Sequence, residues 1–384
     1  MRDELLVFGR PVIGEAEIEE VVATLRSGWI GTGPRVARFE EAFAERVGTE
    51  HGVALSSCTA ALHLTLVASG VGQGDEVITT PLTFCATANA IVHAGATPVF
   101  ADVEPRTGTI DPAAIEAAVG PKTKAIIPVH YGGRTCRMDE IVAIAERHGL
   151  LLVEDAAHAV GAEHRGRAAG SIGDAGCFSF YATKSVSTAE GGMVATDDAD
   201  LAEKVRTLAH HGLSRSAWER FSLDASSHYE VVTPGFKANM TDIQAALGIH
   251  QLARVDEARQ RLEQIWSSYD TALAGLEVTT PAEPRSGSVH ARHLYSILVD
   301  PERAGLTRDE LAAGLLERRI GTGIHYIPVH VQPYYREELG MRAGDLPEAE
   351  RIGAQTLSLP LSPGLDSGDV EDVTVALSDC LGTA

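Results

Sequence analysis

The sequence predicts an α/β fold: a mostly parallel seven-stranded sheet flanked by helices, followed by a small α+β C-terminal domain. Seven short β-rich runs fall between about residues 50 and 210, helical patterns separate most of them, and several runs are apolar on both faces. Strands of that kind belong to a parallel sheet covered on both sides. The 384 residues, 44% of them hydrophobic, are too many for one small domain and ample for a large core. We therefore expect a large domain over residues 1–250. Residues 251–384 are expected to hold a long connecting helix and the small domain.

In chain order, EAEIEEVVATLRSG and RVARFEEAFAERVG are amphipathic helices on either side of the Gly-rich turn GWIGTGP. The strands are HGVALSS, DEVITTP, ATPVFADV, TKAIIPVH, GLLLVEDAA, AGCFSFY and GGMVATDD. The helices among them are TAALHLTLVAS, CATANAIVHAG, DPAAIEAAVG and MDEIVAIAERHG. From Met240 a periodic segment runs for more than thirty residues, opened by the N-cap candidate Thr241. Beyond residue 280, RHLYSILVD and GTGIHYIPV read as strands around the helix TRDELAAGLLERR, and a helix near DVEDVTVALSDCL closes the chain. Repeats and low-complexity tracts are absent from the sequence.

The formal charge is −21, from 32 basic and 53 acidic residues, which argues against a nucleic-acid backbone or an anionic membrane as partner. No stretch is apolar for long enough to span a bilayer, and MRDELLVFGRP lacks a secretory apolar core. Five scattered cysteines without a C-x-x-C pair fit a reducing cytoplasm better than a disulfide framework or a thiolate metal site. A soluble, cytoplasmic enzyme acting on a small molecule is the expectation.

Three strand ends carry candidate chemistry. In Leu55-Ser56-Ser57-Cys58-Thr59-Ala60 a strand meets small polar residues and opens a helix. Amides near Cys58 and Thr59, with the Thr59 hydroxyl, suit a phosphate. An ordinary helix cap by Ser57 or Thr59 accounts for the same run. In Glu154-Asp155-Ala156-Ala157-His158 a carboxylate ends an apolar strand, a costly place unless a cation pairs with it. Glu154 and Asp155 point to opposite faces, so only one can face a ligand; an N-cap aspartate with a core histidine is the alternative. In Phe178-Ser179-Phe180-Tyr181-Ala182-Thr183-Lys184 a strand enters a turn. The chain has only five lysines, and Lys122, Lys124, Lys204 and Lys237 lie in turns, loops or on a surface helix. Lys184 alone follows an apolar strand, where its amine can be desolvated and nucleophilic. Ser179 offers another hydroxyl to the phosphate. A phosphate cradle, a carboxylate for a ring nitrogen and a lysine amine are the three things that pyridoxal phosphate asks of a protein.

The runs SSCTAALHL, TTPLTFCATANAI, VEDAAHAVGA, GCFSFYATK, EGGMVATDD and GFKANMTDIQAALG closely resemble the DegT/StrS-type sugar-nucleotide aminotransferases, and the likeness covers nearly the whole chain. The resemblance implies a fold-type I, pyridoxal-phosphate-dependent homodimer with active sites at the subunit interface. It implies Lys184 as the Schiff-base lysine, Asp155 as the pyridinium partner and Phe84 as the residue stacked on the ring. Cys58, Thr59 and Ser179 would hold the phosphate, and Asn239 would reach it from the other subunit. His158 stands where many members have glutamine, beside the cofactor's 3-hydroxyl. Two positions depart from the pattern: Ser185 replaces a usual asparagine, and Ala238 a common aromatic.

The run from Lys184 to Gly192 resembles members that aminate C4, and the stretch from Val289 to Glu337 resembles the enzyme that makes a 4-amino-4-deoxypentose on a nucleotide. The resemblance thus implies glutamate as amino donor and a dTDP- or UDP-linked 4-keto sugar, deoxyhexose or pentose, as acceptor. Lys184 would shuttle the proton in a ping-pong transamination. His325 and Tyr326, in an expected strand Thr322–Tyr326, are candidates for the nucleotide sugar; domain packing is their alternative role, and His330 is a weaker candidate. A C3-keto sugar aminotransferase and a non-catalytic, cofactor-binding regulator are the competing readings. A nicotinamide oxidoreductase lacks its G-x-G-x-x-G near residue 55, and a zinc hydrolase its H-E-x-x-H.

Overall fold

The computed structural model describes residues 2–213 and 229–382. Helices α1 (Glu15–Ser27) and α2 (Pro34–Val47) precede strand β1 (His51–Leu55). Then come α3 (Cys58–Ala68), β2 (Glu76–Thr79), α4 (Ala86–His93), β3 (Thr97–Phe100), α5 (Pro112–Ala118), β4 (Thr123–Ile127), α6 (Met138–His148) and β5 (Leu151–Asp155). A small hairpin of β6 (Glu163–His164) and β7 (Arg167–Ala168) leads to β8 (Ala175–Ser179), β9 (Gly192–Thr196) and α7 (Ala199–Ala209). The seven strands form one sheet in the order β1-β9-β8-β5-β4-β2-β3, and only β9 runs against the others.

Strand alternation divides the core. Val53, Leu55, Val153, Cys177 and Val194 point to the side of Leu62, Leu66 and Val205, on α3 and α7. Their neighbours Ala54, Phe178 and Met193 point the other way, onto Phe39 and Phe43 of α2. There Phe43 meets Phe178 and Phe180 edge-on at 4.8 and 5.2 Å, a preferred aromatic arrangement. Leu152 joins Ile141 and Ile144 of α6 on this same face. One-residue parity along each strand therefore decides which side chains reach the site.

The periodic segment after Met240 is two helices, Asp242–Ala253 and Val255–Ala272, rather than the single long helix expected. The break is at Arg254, whose φ −112° and ψ 13° leave the helical region. Thr241 caps the first helix in a box with Gln244, as its sequence suggests. A separate apolar cluster gathers Trp266, Tyr269, Tyr295, Leu311, Leu357 and Val373 around the antiparallel pair β10 (Tyr295–Leu298) and β11 (Thr356–Leu359). Residues 322–326 are not the expected strand. They form no ladder and touch the small sheet through one bridge, Gly323 to Ser358.

Gly192 shows how closely the sheet approaches the first turn of α3. It pairs with Leu55 and Ser179, and a Cβ at this position would lie 2.3 Å from the Ser57 carbonyl carbon. Gly192→Ala must push β9 away from that turn. We expect it to cost about 1–3 kcal/mol in urea denaturation and to weaken cofactor retention in the same protein.

Candidate active site

A cavity of about 650 Å³ opens at the carboxyl ends of β1, β5 and β8, the edge where open α/β sheets bind ligands. Its wall includes Cys58, Thr59, Phe84, Asp155, His158, Ser179, Lys184, His325 and Tyr326. Nine of the residues singled out in the sequence thus meet in one place.

At the first strand end, Ser57 rather than Thr59 caps α3, its Oγ accepting from the Ala60 amide at 3.1 Å. This leaves Cys58, Thr59 and the first-turn amides of α3 facing the cavity, a suitable cradle for a phosphate. Ser179 joins them because Phe178 and Phe180 are turned onto α2 and the residue between them must face the other way.

At the second, Glu154 and Asp155 divide as alternation requires. Glu154 is fully buried and accepts four N–H donors: His130 Nε2 at 2.8 Å and the amides of Gly170, Ile172 and Gly173 at 2.9, 2.6 and 2.7 Å. The amide of Cys136 donates to His130 Nδ1, so the ring proton sits on Nε2 and is given to Glu154. Burial pushes the Glu154 carboxyl up, but these donors outweigh it and hold it below the usual range. Asp155 faces the cavity. Its Oδ2 accepts from Thr87 at 2.7 Å and its Oδ1 from the Ala157 amide at 3.1 Å, while Thr83 lies 2.8 Å from Thr87. Here burial wins over both hydrogen bonds and over the charge of Lys184, and the Asp155 carboxyl is raised. A buried carboxylate without a cation hydrogen-bonded to it is suited to pair with a ring N–H⁺.

Lys184 lies in the turn after β8, its amide bonded to the Tyr181 carbonyl at 2.9 Å. Burial lowers its amine to about 8, against the opposing effects of Cys58 and Asp155. His158 accepts the Gly132 amide at Nδ1 (3.3 Å), so its proton is on Nε2, 3.1 Å from the Tyr326 hydroxyl. Burial first, and then the charge of Lys184, keeps this imidazole neutral, well below its ordinary pKa. Phe84 is exposed over the opening, its ring 6.1 Å from that of Tyr326. His325 is drawn back by Ser358, whose Oγ is 2.8 Å from Nδ1.

Two sequence candidates lie outside this cavity. Asn239 bridges to Leu55 and donates to Thr32, and its Oδ1 is buried without a partner among the described residues; it does not line the cavity of its own chain. His330 is buried beside Phe100 and bonds Glu350 at 3.0 Å, a packing role. Sequence reasoning missed Thr83, in the Thr-rich run before α4, and Thr87, in the first turn of that helix, and also Tyr181 and Glu190 of the cavity wall. Among the described residues no group of three or more His, Cys, Asp or Glu is placed to hold a metal ion. No helix among them is long and apolar enough to cross a membrane.

The phosphate cradle, the raised buried carboxyl and the depressed amine fit pyridoxal phosphate: the first turn of α3 would hold its phosphate, Asp155 would face its ring nitrogen and Lys184 its aldehyde. Two outcomes follow. In cofactor-free protein, reductive trapping of an added aldehyde on Lys184 should rise with pH and be half-maximal near 8, against 10.5 for an ordinary lysine; peptide mass mapping reads it. Glu154→Ala strands four donors and should cost about 3–5 kcal/mol in urea denaturation.

The model of the DegT/DnrJ/EryC1/StrS aminotransferase family matches residues 11–378. The chain is 52% identical to the spore coat polysaccharide biosynthesis protein SpsC of Bacillus subtilis, over 98% of this chain and 97% of that one. Among solved structures it resembles Spr1654 of Streptococcus pneumoniae, provisionally named a sugar aminotransferase and solved in PMP and PLP forms. The PMP form has a TM-score of 0.91 at 34% identity, covering 98% of this chain and 99% of that one. DesI, solved in the presence of its TDP-sugar product, has a TM-score of 0.88 at 35% identity, covering 100% and 95%. The chain therefore belongs to the DegT/DnrJ/EryC1/StrS family of pyridoxal-phosphate-dependent sugar aminotransferases.

Proposed function

We propose that the protein moves an amino group from glutamate to the C4 keto group of a dTDP- or UDP-linked 4-keto sugar, a deoxyhexose or a pentose, as a cytoplasmic homodimer. The observation that carries this reading is the presence of Asp155, Lys184 and the first turn of α3 in one cavity. The TDP-sugar product of DesI supports a nucleotide-linked acceptor. The C4 assignment rests on the run from Lys184 to Gly192. In the same reading the large domain ends near residue 250, and Asn239 reaches the partner subunit's phosphate cradle.

Bound in this cavity, pyridoxal phosphate supplies an electron sink and the aldehyde on which the amino group is carried. The chain's own residues do the rest. Asp155 keeps the ring nitrogen protonated. Cys58, Thr59 and Ser179 hold the phosphate, and Phe84 covers the ring. Lys184 Nζ, with its amine near 8, takes the proton from the donor's α-carbon and returns it on the acceptor side. Neutral His158 donates from Nε2 to the Tyr326 oxygen, leaving the Tyr326 hydroxyl proton free for the sugar.

Purified enzyme with glutamate, offered a panel of nucleotide-linked 4-keto and 3-keto sugars, should give a product one amino group richer at C4. Product mass and carbon position are the readout, and amination at C3 alone would overturn the C4 assignment. Lys184→Ala should lose multiple turnover on every member of the panel.

A further inference from the structure

We propose that a small cavity outside the active site, between the turn 131–134 and strand β10, binds a free tetrahedral oxyanion of the inorganic phosphate class. The inference does not depend on which keto sugar the enzyme aminates. The cavity measures about 50 Å³ and lies between residues 105–108, residues 131–134 and parts of the stretch 279–298. It shares no lining residue with the cavity at Lys184. A buried water needs roughly 10–15 Å³, so this space has room for a small ion.

Its wall holds Arg106 and Arg134 and no aspartate or glutamate, in a chain whose net charge is −21. Arg134 is only 6% exposed, and among the described residues it has no ion pair. Two of its five N–H groups are taken, by the carbonyls of Glu283 at 2.9 Å and of Ala282. Burial first, and then the charges of Arg285 and Arg292, lower it to about 10 against the attraction of Glu283 and Glu104, so it is a cation at neutral pH. Glu104 is already engaged by Arg285, Arg137, Thr107 and Thr109. A buried cation without a carboxylate is costly, and an anion in the cavity would offset that cost.

His290 supplies the second donor. It is 7% exposed, and its Nδ1 accepts the Arg292 amide at 2.9 Å, which puts the ring proton on Nε2. That N–H has no acceptor among the described residues and is left to the cavity that His290 lines. Arg106 is exposed at the same cavity and makes no ion pair among the described residues, so its fork can close over an oxyanion. The site also touches the active site indirectly. Tyr131 and Gly132 are in its wall, and they bond the His325 carbonyl and His158 Nδ1 respectively. An anion held by Arg134 would steady the turn from which both bonds are made.

The test uses cofactor-loaded enzyme, whose phosphate cradle at α3 is already filled. Calorimetric titration with inorganic phosphate should show saturable binding beyond that of sodium chloride at matched ionic strength. Arg106→Ala should weaken it tenfold or more, and Arg134→Gln should abolish it. Where Arg134→Gln fails to fold, the exposed Arg106 still decides. In crystals grown with selenate, a tetrahedral oxyanion, anomalous density should lie between Arg134 and His290. Phosphate should slow hydrogen exchange at the Gly132 amide in wild type and not in Arg106→Ala. Phosphate that binds Arg106→Ala as tightly as wild type, a response that chloride reproduces, or selenate found only in the cavity at Lys184 overturns the proposal. Binding without slower exchange overturns the link to His158.

Discussion

Glu154 is the residue on which the geometry of the cavity depends. It is fully buried, yet it is saturated by one imidazole and three backbone amides drawn from the loop between β7 and β8. Those donors tie the end of β5 to its neighbour β8 and to His130 beyond β4. A strand clamped in this way cannot slip by one residue, because a slip would bring Asp155 to the donors and carry Glu154 into the cavity. The carboxylate with every donor is structural. The adjacent one, raised by burial and served by only Thr87 and one amide, is the one left to meet a ligand.

The electrostatics of the site follow from the same economy of charge. His158, His293 and His325 crowd the neighbourhood of Lys184, and burial holds all three in the neutral form. Three cationic imidazoles there would drive the lysine pKa down further and repel the cationic ring expected at Asp155. Kept neutral, His158 instead acts as an oriented dipole, its two nitrogens assigned by Gly132 and Tyr326.

Much of this was legible beforehand because it rests on period-two alternation and on capping chemistry, both local properties of the chain. All seven strands of the main sheet fall within the runs read from the sequence, and the box at Thr241 forms as its residues imply. The choice between Glu154 and Asp155 was not legible from the residues themselves, since it depends on amides from residues 170–173 and on a histidine 24 residues away. The Thr83–Thr87 contact at Asp155 was hidden for a similar reason: threonines around a helix start are commonplace, and only the fold brings these beside β5. Unbroken apolar periodicity masked the break at Arg254, and β-branched composition around residue 324 suggested a ladder that forms as a single bridge.

That single bridge has a consequence for how such an enzyme diverges. Residues 322–328 pass the cavity anchored by Gly323, by bonds from Tyr131 and Thr356 to the His325 carbonyl, and by Ser358. Between these pins Ile324 is exposed, and so is Ile327 just beyond them. An edit at either position therefore leaves the main sheet, the carboxylate pair and Lys184 undisturbed. A lineage can vary the exposed side chains of this ribbon while Glu154, Asp155 and Lys184 keep their places.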